Sequence, residues 1–298
     1  MPTSVRLMTE SQQCPACGGG PLDRIFALRG FDFVTCATCD LEMYHGAERV
    51  ERTDGFFSSA YFTEGGAGYP NYLADAPVHR RQARRYIRRL RHLGVTPAHG
   101  RRALDVGCAA GFFMAEAAAA GWDVAGCDVS DFVGAHARDV LHLDVTTACY
   151  LDAPFEPGSF DLITMFGVLE HLPAPHRVAD HTYELLRPGG VVAIETWNRR
   201  AAPARLLGRH WHVYAPPSCL WYHSERSLCT LFSADRWRRL RYGAAPKWIS
   251  LRHAVSAVDH MAPRVATAAR RALDHPALRH TSVPYPMSDL VFAVFERT

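Results

Sequence analysis

Residues 104–113, LDVGCAAGFF, constrain this chain more than any other stretch: an apolar strand breaks at a glycine turn and re-enters as a helix. The same alternation then recurs. ALDVGC leads to AAGFFMAEAAAA, which stops at Gly121, and WDVAGCDVS leads to a short helix containing FVGAHARD. A weaker strand lies near LHLDVTT. After the turn DAPFEPGS, the apolar run FDLITMF reads as a strand covered on both faces. Helix PHRVADHTYELL ends at RPGG, and VVAIETW follows as a strand. Units of this length predict an α/β protein with a doubly wound, mostly parallel sheet and right-handed crossovers. RWRRLRY and the terminal SDLVFAVFERT read as an antiparallel strand pair beside it.

The turn narrows the ligand. A dinucleotide fingerprint wants a third glycine, whereas this chain offers Gly107 and Gly111 with Ala109 and Ala110 between them. Gly107 lets backbone approach a ligand, Gly111 lets the helix pack on the strand, and the alanines suit the helix's first turn if their φ stays negative. A carboxylate-bearing ligand gains from the helix N-terminus without the three-glycine approach that a pyrophosphate imposes. S-adenosylmethionine is such a ligand. Asp128 ends the second strand of the repeat, where a carboxylate can accept both ribose hydroxyls, and Phe166 ends the fourth, at the carboxyl-end crevice.

In this order, ALDVGCAAG, VAGCDVS, FDLITMFGVLEHL and LLRPGGVVAIETWN resemble the Rossmann-like class I S-adenosylmethionine-dependent methyltransferases over roughly residues 102–197. The wider layout is similar to a bacterial branch with an N-terminal four-cysteine zinc unit. The resemblance implies that Asp105, Gly107 and Gly111, with Cys108 and Ala109 between them, hold the methionine end. It implies Asp128 and Val129 at the ribose, Cys149, Tyr150 and Asp152 beside adenine, and Phe166 behind the sulfonium. The chain departs from the pattern in three places. Ala109 stands where the family usually has glycine, Cys149 where many relatives have an acid, and Cys219 where relatives often have histidine.

CPAC and CATC flank eighteen residues, a spacing that suits four thiolates on one zinc ion. Cys14, Cys17, Cys36 and Cys39 are the expected ligands. With all four positions filled the metal is structural, holding a ribbon too small to build its own core. Gly18 and Asp40, after the second cysteine of each pair, are types that tolerate a left-handed backbone. The expected organisation is a zinc ribbon at 10–45, an aromatic loop and capping helix at 46–95, and the methyltransferase domain at 96–298 with a helical insertion at about 243–286. In the capping helix, about 76–93, Ala83, Tyr86, Ile87, Leu90 and Leu93 form one apolar stripe, with Asp75 capping its start and Gly94 its end.

Methyl transfer needs a base only where the acceptor arrives protonated. His171, in LEHL after the fourth strand, is the first candidate, with Tyr222 and His223 in reserve. His210, His212 and Tyr214 share the loop of the last two, and Tyr61, Tyr69 and Tyr72 are candidates to wall the pocket. A small-molecule acceptor methylated on oxygen or carbon, in specialised metabolism or on a sugar, is the leading reading. The competing one is an RNA-binding or RNA-modifying protein built on the ribbon and the arginine-rich helix. A net charge of +3 across 298 residues argues against nucleic acid. The missing glycine disfavours NAD chemistry. No apolar run reaches the length of a membrane span, and MPTSVRLMTE has no signal-peptide core, so a cytoplasmic enzyme is expected.

Overall fold

The computed structural model describes residues 13–64, 68–245, 247–251, 254–255, 281–285 and 287–298. Three strands come first: β1 (Leu22–Leu28), β2 (Phe31–Cys36) and β3 (Glu42–Tyr44). A short helix α1 (Ser59–Thr63) precedes the arginine-rich α2 (Ala76–His92). The expected apolar stripe of α2 is buried at Ala83, Tyr86, Ile87 and Leu90, and only half-buried at Leu93. Gly94 does follow the helix with a left-handed φ of 80°. Asp75 does not cap it; its carboxylate instead accepts from the Ser250 hydroxyl at 2.6 Å.

The repeat then runs as β4 (Arg102–Val106), α3 (Phe112–Ala119), β5 (Asp123–Asp128), α4 (Asp131–Ala135) and β6 (Asp144–Thr147). It continues through β7 (Phe160–Phe166), α5 (Pro175–Leu185) and β8 (Leu186–Trp197). Beyond β8 the chain holds α6 (Ala202–Leu207) and β9 (Trp221–Tyr222). Ser224 caps α7 (Glu225–Leu231): its hydroxyl accepts from Ser227 N–H, while the Ser227 hydroxyl accepts from Ser224 N–H. The chain ends with β10 (Trp237–Ala244), β11 (Trp248–Ser250), β12 (Ser282–Pro284) and β13 (Leu290–Arg297).

Seven strands form the main sheet in the order β10-β13-β8-β7-β4-β5-β6. The last five in that order are parallel, and β13 runs antiparallel to both of its neighbours. The winding reverses between β4 and β7, so their carboxyl ends flank a crevice at the topological switch point. Side chains alternate across the sheet with period two. Ile163, Met165, Val192, Ile194, Ala293 and Phe295 join Val178 of α5 and Leu228 of α7 on one face. Leu162, Val191, Ala193, Phe292 and Val294 join Tyr86 and Leu90 of α2 on the other. Double coverage is why FDLITMF carries no polar alternation.

The N-terminal strands do not stand apart. Their sheet runs β1-β2-β3-β9, completed by a two-residue strand that follows β8 in the chain. Glu42 pairs with Tyr222 and Met43 with Trp221, and Trp211, Tyr214 and Leu220 lie in the same buried cluster as Phe33 and Leu41. The insertion opens and closes as an antiparallel β11–β12 ribbon. Its helix, expected at about 251–275, lies almost wholly outside the described residues.

Candidate functional site

The turn after β4 is where the sequence reading of the backbone needs correction. Ala109 has φ 46° and is therefore left-handed, flanked by Gly107 at 66° and Gly111 at 75°. Helix α3 starts only at Phe112, so the two alanines lie before it rather than in its first turn. The cost of a left-handed alanine is about 1–2 kcal/mol. It is offset by Ala109 N–H, which donates to Asp128 Oδ2 at 2.8 Å, while Gly107 and Cys108 N–H both donate to the Cys127 carbonyl. A side chain at Gly107 would meet Val168 Cγ2 at 2.5 Å, and one at Gly111 would meet Leu143 Cδ1 at 2.7 Å. Both glycines are thus required twice, by dihedral and by space.

Asp128 is buried, and its other oxygen accepts from Ser130 N–H at 2.8 Å. Burial raises its carboxyl above the usual range, partly offset by these two N–H donors. Each oxygen keeps a second lone pair for a ligand hydroxyl. Asp105, at the end of β4, accepts from the Thr164 hydroxyl at 2.6 Å. Burial pushes its carboxyl up to about 7, with the Thr164 bond holding it down in part and Asp128 adding to the rise. Two buried carboxyl groups thus lie at the carboxyl ends of β4 and β5, and among the described residues neither forms an ion pair.

The other expected cofactor residues divide between backbone and side chain. Ala148 N–H donates to the Asp128 carbonyl at 3.0 Å, which brings the 149–152 turn beside Asp128. Cys149 is half-buried and Asp152 exposed, but the Tyr150 ring turns into the core, where its hydroxyl meets Thr182 Oγ1 at 3.0 Å. Tyr150 therefore offers only main chain. Cys108 likewise buries its thiol beside Met114 and Val145, and half-buried Val129 follows Asp128. Phe166, expected behind the sulfonium, is half-buried and stacked on Tyr86 at 4.2 Å with Phe113 edge-on at 5.1 Å.

His171 sits on the turn after β7, with Nδ1 2.7 Å from the Ser218 carbonyl. A carbonyl only accepts, so Nδ1 carries the hydrogen, and in the neutral ring Nε2 keeps its lone pair. That is the tautomer a base requires. Tyr222 and His223 differ from expectation: both are fully buried. The Tyr222 hydroxyl accepts from Ala215 N–H at 3.2 Å, and burial pushes the His223 imidazole down to about 3. The reason is the strand pairing of β9 with β3, which closes these side chains between the ribbon and the main sheet. Of the other loop candidates, Tyr214 is also buried, while exposed His212 meets the Tyr285 hydroxyl through Nε2 at 2.7 Å.

An aromatic cap covers this edge. Phe57 lies 5.3 Å from the His171 ring and 5.1 Å from Tyr61, whose ring lies 6.0 Å from Tyr69. Tyr72 stacks on Phe112 at 5.8 Å, at the first residue of α3. Behind the cap lies a polar group missed in the sequence. Tyr86 donates its hydroxyl to buried Glu195, and Lys247 Nζ lies 3.6 Å from Glu195 Oε1. Burial pushes Lys247 down, but Glu195 together with Tyr69, Glu170 and Tyr285 outweighs it, raising the amine above its ordinary value. A glutamate inside the apolar strand VVAIETW was the available signal.

The four cysteine sulfurs lie within 4.8 Å of one another, with Cys14–Cys39 at 3.5 Å and Cys17–Cys36 at 3.6 Å. Four thiolates at a tetrahedral zinc sit roughly 3.8 Å apart, so the donor set fits that ion. Gly18 and Asp40 are left-handed at φ 67° and 64°. Their N–H groups close each knuckle on the Cys14 and Cys36 carbonyls. Asp40 and Glu42 then bind Arg199, just beyond β8, and Asp40 also takes Arg200.

A family model described as a methyltransferase domain matches residues 78–235, more than half of the chain. A ubiquinone biosynthesis O-methyltransferase of Methylococcus capsulatus is 37% identical over 154 residues, 48% of this chain and 63% of the relative. One from Paraburkholderia phymatum is 35% identical over 133 residues, 39% of this chain and 57% of the relative. The chain thus spans less than two thirds of the length of these curated relatives. The YcgJ protein of Bacillus subtilis superposes with a TM-score of 0.52 at 14% identity, over 73% of this chain and 98% of that one. That likeness is one of fold.

The buried Asp105 carboxyl sets a pH dependence of stability. An aspartate in the unfolded chain titrates near 4, while the folded one titrates at about 7. Between those values the unfolded chain binds fewer protons at this site, so stability falls as pH rises through the window. Urea unfolding of the ligand-free chain at about pH 4.5 and 7.5 should show wild type losing on the order of a few kcal/mol more than Asp105→Asn. Equal changes in the two proteins would contradict this.

Proposed function

The chain belongs to the methyltransferase-domain family, and on that premise we propose that it transfers a methyl group from S-adenosylmethionine to a small-molecule acceptor through an ionisable oxygen or carbon. The turn at 107–111 carries the reading: two obligate glycines and a left-handed alanine locked to Asp128, with dehydrated Asp105 and Asp128 on either side. Asp128 presents its spare lone pairs to two ribose hydroxyls. Asp105 and the turn's backbone take the amino and carboxylate groups. S-adenosylmethionine supplies a methyl carbon already activated by positive sulfur. The protein's part is alignment, exclusion of water and removal of one proton.

His171 Nε2 takes that proton from the acceptor as the acceptor's oxygen or carbon attacks the methyl carbon. The carbon–sulfur bond breaks, and its electron pair stays on sulfur as a neutral thioether. The Ser218 carbonyl holds the Nδ1 hydrogen and steadies the imidazolium. Phe57, Tyr61 and Tyr69 exclude water, and their faces favour the cation beside them. O-methylation is what the curated relatives are named for, and it agrees with a hydroxyl acceptor. The cap residues and Lys247 lie outside residues 78–235, so the acceptor's identity rests on this chain's own additions. Zinc on Cys14, Cys17, Cys36 and Cys39 completes the assignment as a structural ion.

Three outcomes are expected. Calorimetry should show S-adenosylhomocysteine binding and no NAD binding, and Asp128→Ala should weaken the former by about 1–3 kcal/mol. NAD binding with no response to S-adenosylhomocysteine overturns the assignment. His171→Ala should lower kcat by about 10²–10⁴, with S-adenosylhomocysteine affinity nearly unchanged. Full turnover in that variant rejects His171 as the base. Elemental analysis should find one zinc per purified chain, lost in Cys14→Ser/Cys36→Ser; metal-free native protein contradicts the ribbon reading.

A further inference from the structure

The arginines of α2 divide into two sets. Arg80 and Arg84 reach Glu116 of α3 at 3.2 and 2.9 Å and are neutralised there. Arg85, Arg88 and Arg89 face the other way, into a cavity of about 260 Å³ between α2 and the ribbon strand β11, which Tyr86, His92 and Trp248 also line. The Arg85 guanidinium stacks on the Trp248 ring at 4.5 Å, and the Arg89 guanidinium lies over Phe292 at 5.5 Å. These two are half-buried. Among the described residues no carboxylate forms an ion pair with any of the three, although fourteen arginine or lysine ion pairs occur elsewhere. Helix α2 itself contains no acid.

Partly dehydrated cations held together without a counter-charge are costly. Burial pushes Arg85 below its ordinary value and the neighbouring Arg81 and Arg88 push it further; Arg89 is lowered by burial and then by Arg241. The strain is relieved by an anion. Planar guanidinium forks bind phosphate oxygens in pairs, and stacking on Trp248 fixes one fork in place before any ligand arrives. The volume suits one or two phosphate groups, not a whole nucleotide.

We propose that the cleft between α2 and β11 binds the phosphate or diphosphate group of a small-molecule ligand. The site is separate from the Gly107–Gly111 turn, and it stands whether or not the chain is a methyltransferase. Tyr86 walls the cleft and donates to Glu195, and Trp248 follows Lys247, which pairs with the same carboxylate. A ligand anchored here by its phosphates reaches the acceptor edge around that group.

Calorimetry of the full chain in about 0.1 M chloride, with pyrophosphate, uridine diphosphate and inorganic phosphate as probes, tests the site. Pyrophosphate and uridine diphosphate should bind, each at least tenfold more weakly in Arg88→Glu and in Arg85→Gln. Arg84→Gln, whose charge belongs to Glu116, should bind as wild type does. Thermal unfolding checks that each variant folds, and Arg88 is exposed enough that its replacement leaves packing intact. Inorganic phosphate binding as tightly as the diphosphates assigns the cleft to free phosphate; weaker binding assigns it to an organic diphosphate. The proposal is overturned by no binding of any probe, by equal losses in Arg84→Gln, or by an RNA oligomer that binds and is not displaced by pyrophosphate.

Discussion

The pairing of β3 with β9 joins the N-terminal strands to the segment that follows β8, and the candidate site depends on it. Only Glu42–Tyr222 and Met43–Trp221 are paired in register, yet the residues on either side of β9 hold the turn that carries His171. Leu220 N–H donates to the Glu170 carbonyl at 2.8 Å, and the Trp221 indole donates to the Leu172 carbonyl at 2.7 Å. Ser218 fixes the His171 tautomer between them. A thirty-residue ribbon has too little apolar surface to fold unaided. Here it gains stability from both the cysteine cluster and the indole, phenol and thiol groups of residues 211–222. The ribbon is therefore part of the wall behind His171.

The same tethering recurs in charge. Asp40, which closes the second cysteine knuckle, and buried Glu42 share Arg199 directly after β8. Arg199 N–H also donates to the His223 carbonyl at 2.9 Å. On the far side, His176 of α5 meets the Pro15 carbonyl in the first knuckle at 3.0 Å. Both knuckles thus touch the main domain near the carboxyl edge of its sheet. The 107–111 turn, by contrast, is hydrogen-bonded to Cys127 and Asp128 of β5 and packed against Val168, Leu143 and the aromatic residues Phe62 and Tyr72. The 107–111 turn and the turn that carries His171 consequently rest on different supports, and the His171 turn is the one that depends on the ribbon.

What was legible in the sequence is what local periodicity encodes. Five strands with three intervening helices, the β10 and β13 strand segments and the left-handed Gly18 and Asp40 all follow from residues close together in the chain. Ala109 was misjudged because an alanine's φ was inferred from helix propensity, whereas the Asp128 carboxylate nineteen residues later decides it. Tyr222 and His223 looked like loop residues because β9 is two residues long and its partner lies about 180 positions earlier. The Tyr86–Glu195–Lys247 group could not be assembled from the sequence: its members come from a helix, a strand and a connecting segment. Glu195 within an apolar strand was the visible trace.

The account rests on one geometric claim, that the 107–111 turn and His171 address two ends of the same ligand. A crystal structure with S-adenosylhomocysteine tests it directly. The ribose should lie on Asp128, the amino and carboxylate groups against the turn and Asp105, and the sulfur should face a space bounded by His171 Nε2. Ligand bound elsewhere, or bound at the turn with its sulfur turned away from His171, would contradict the claim.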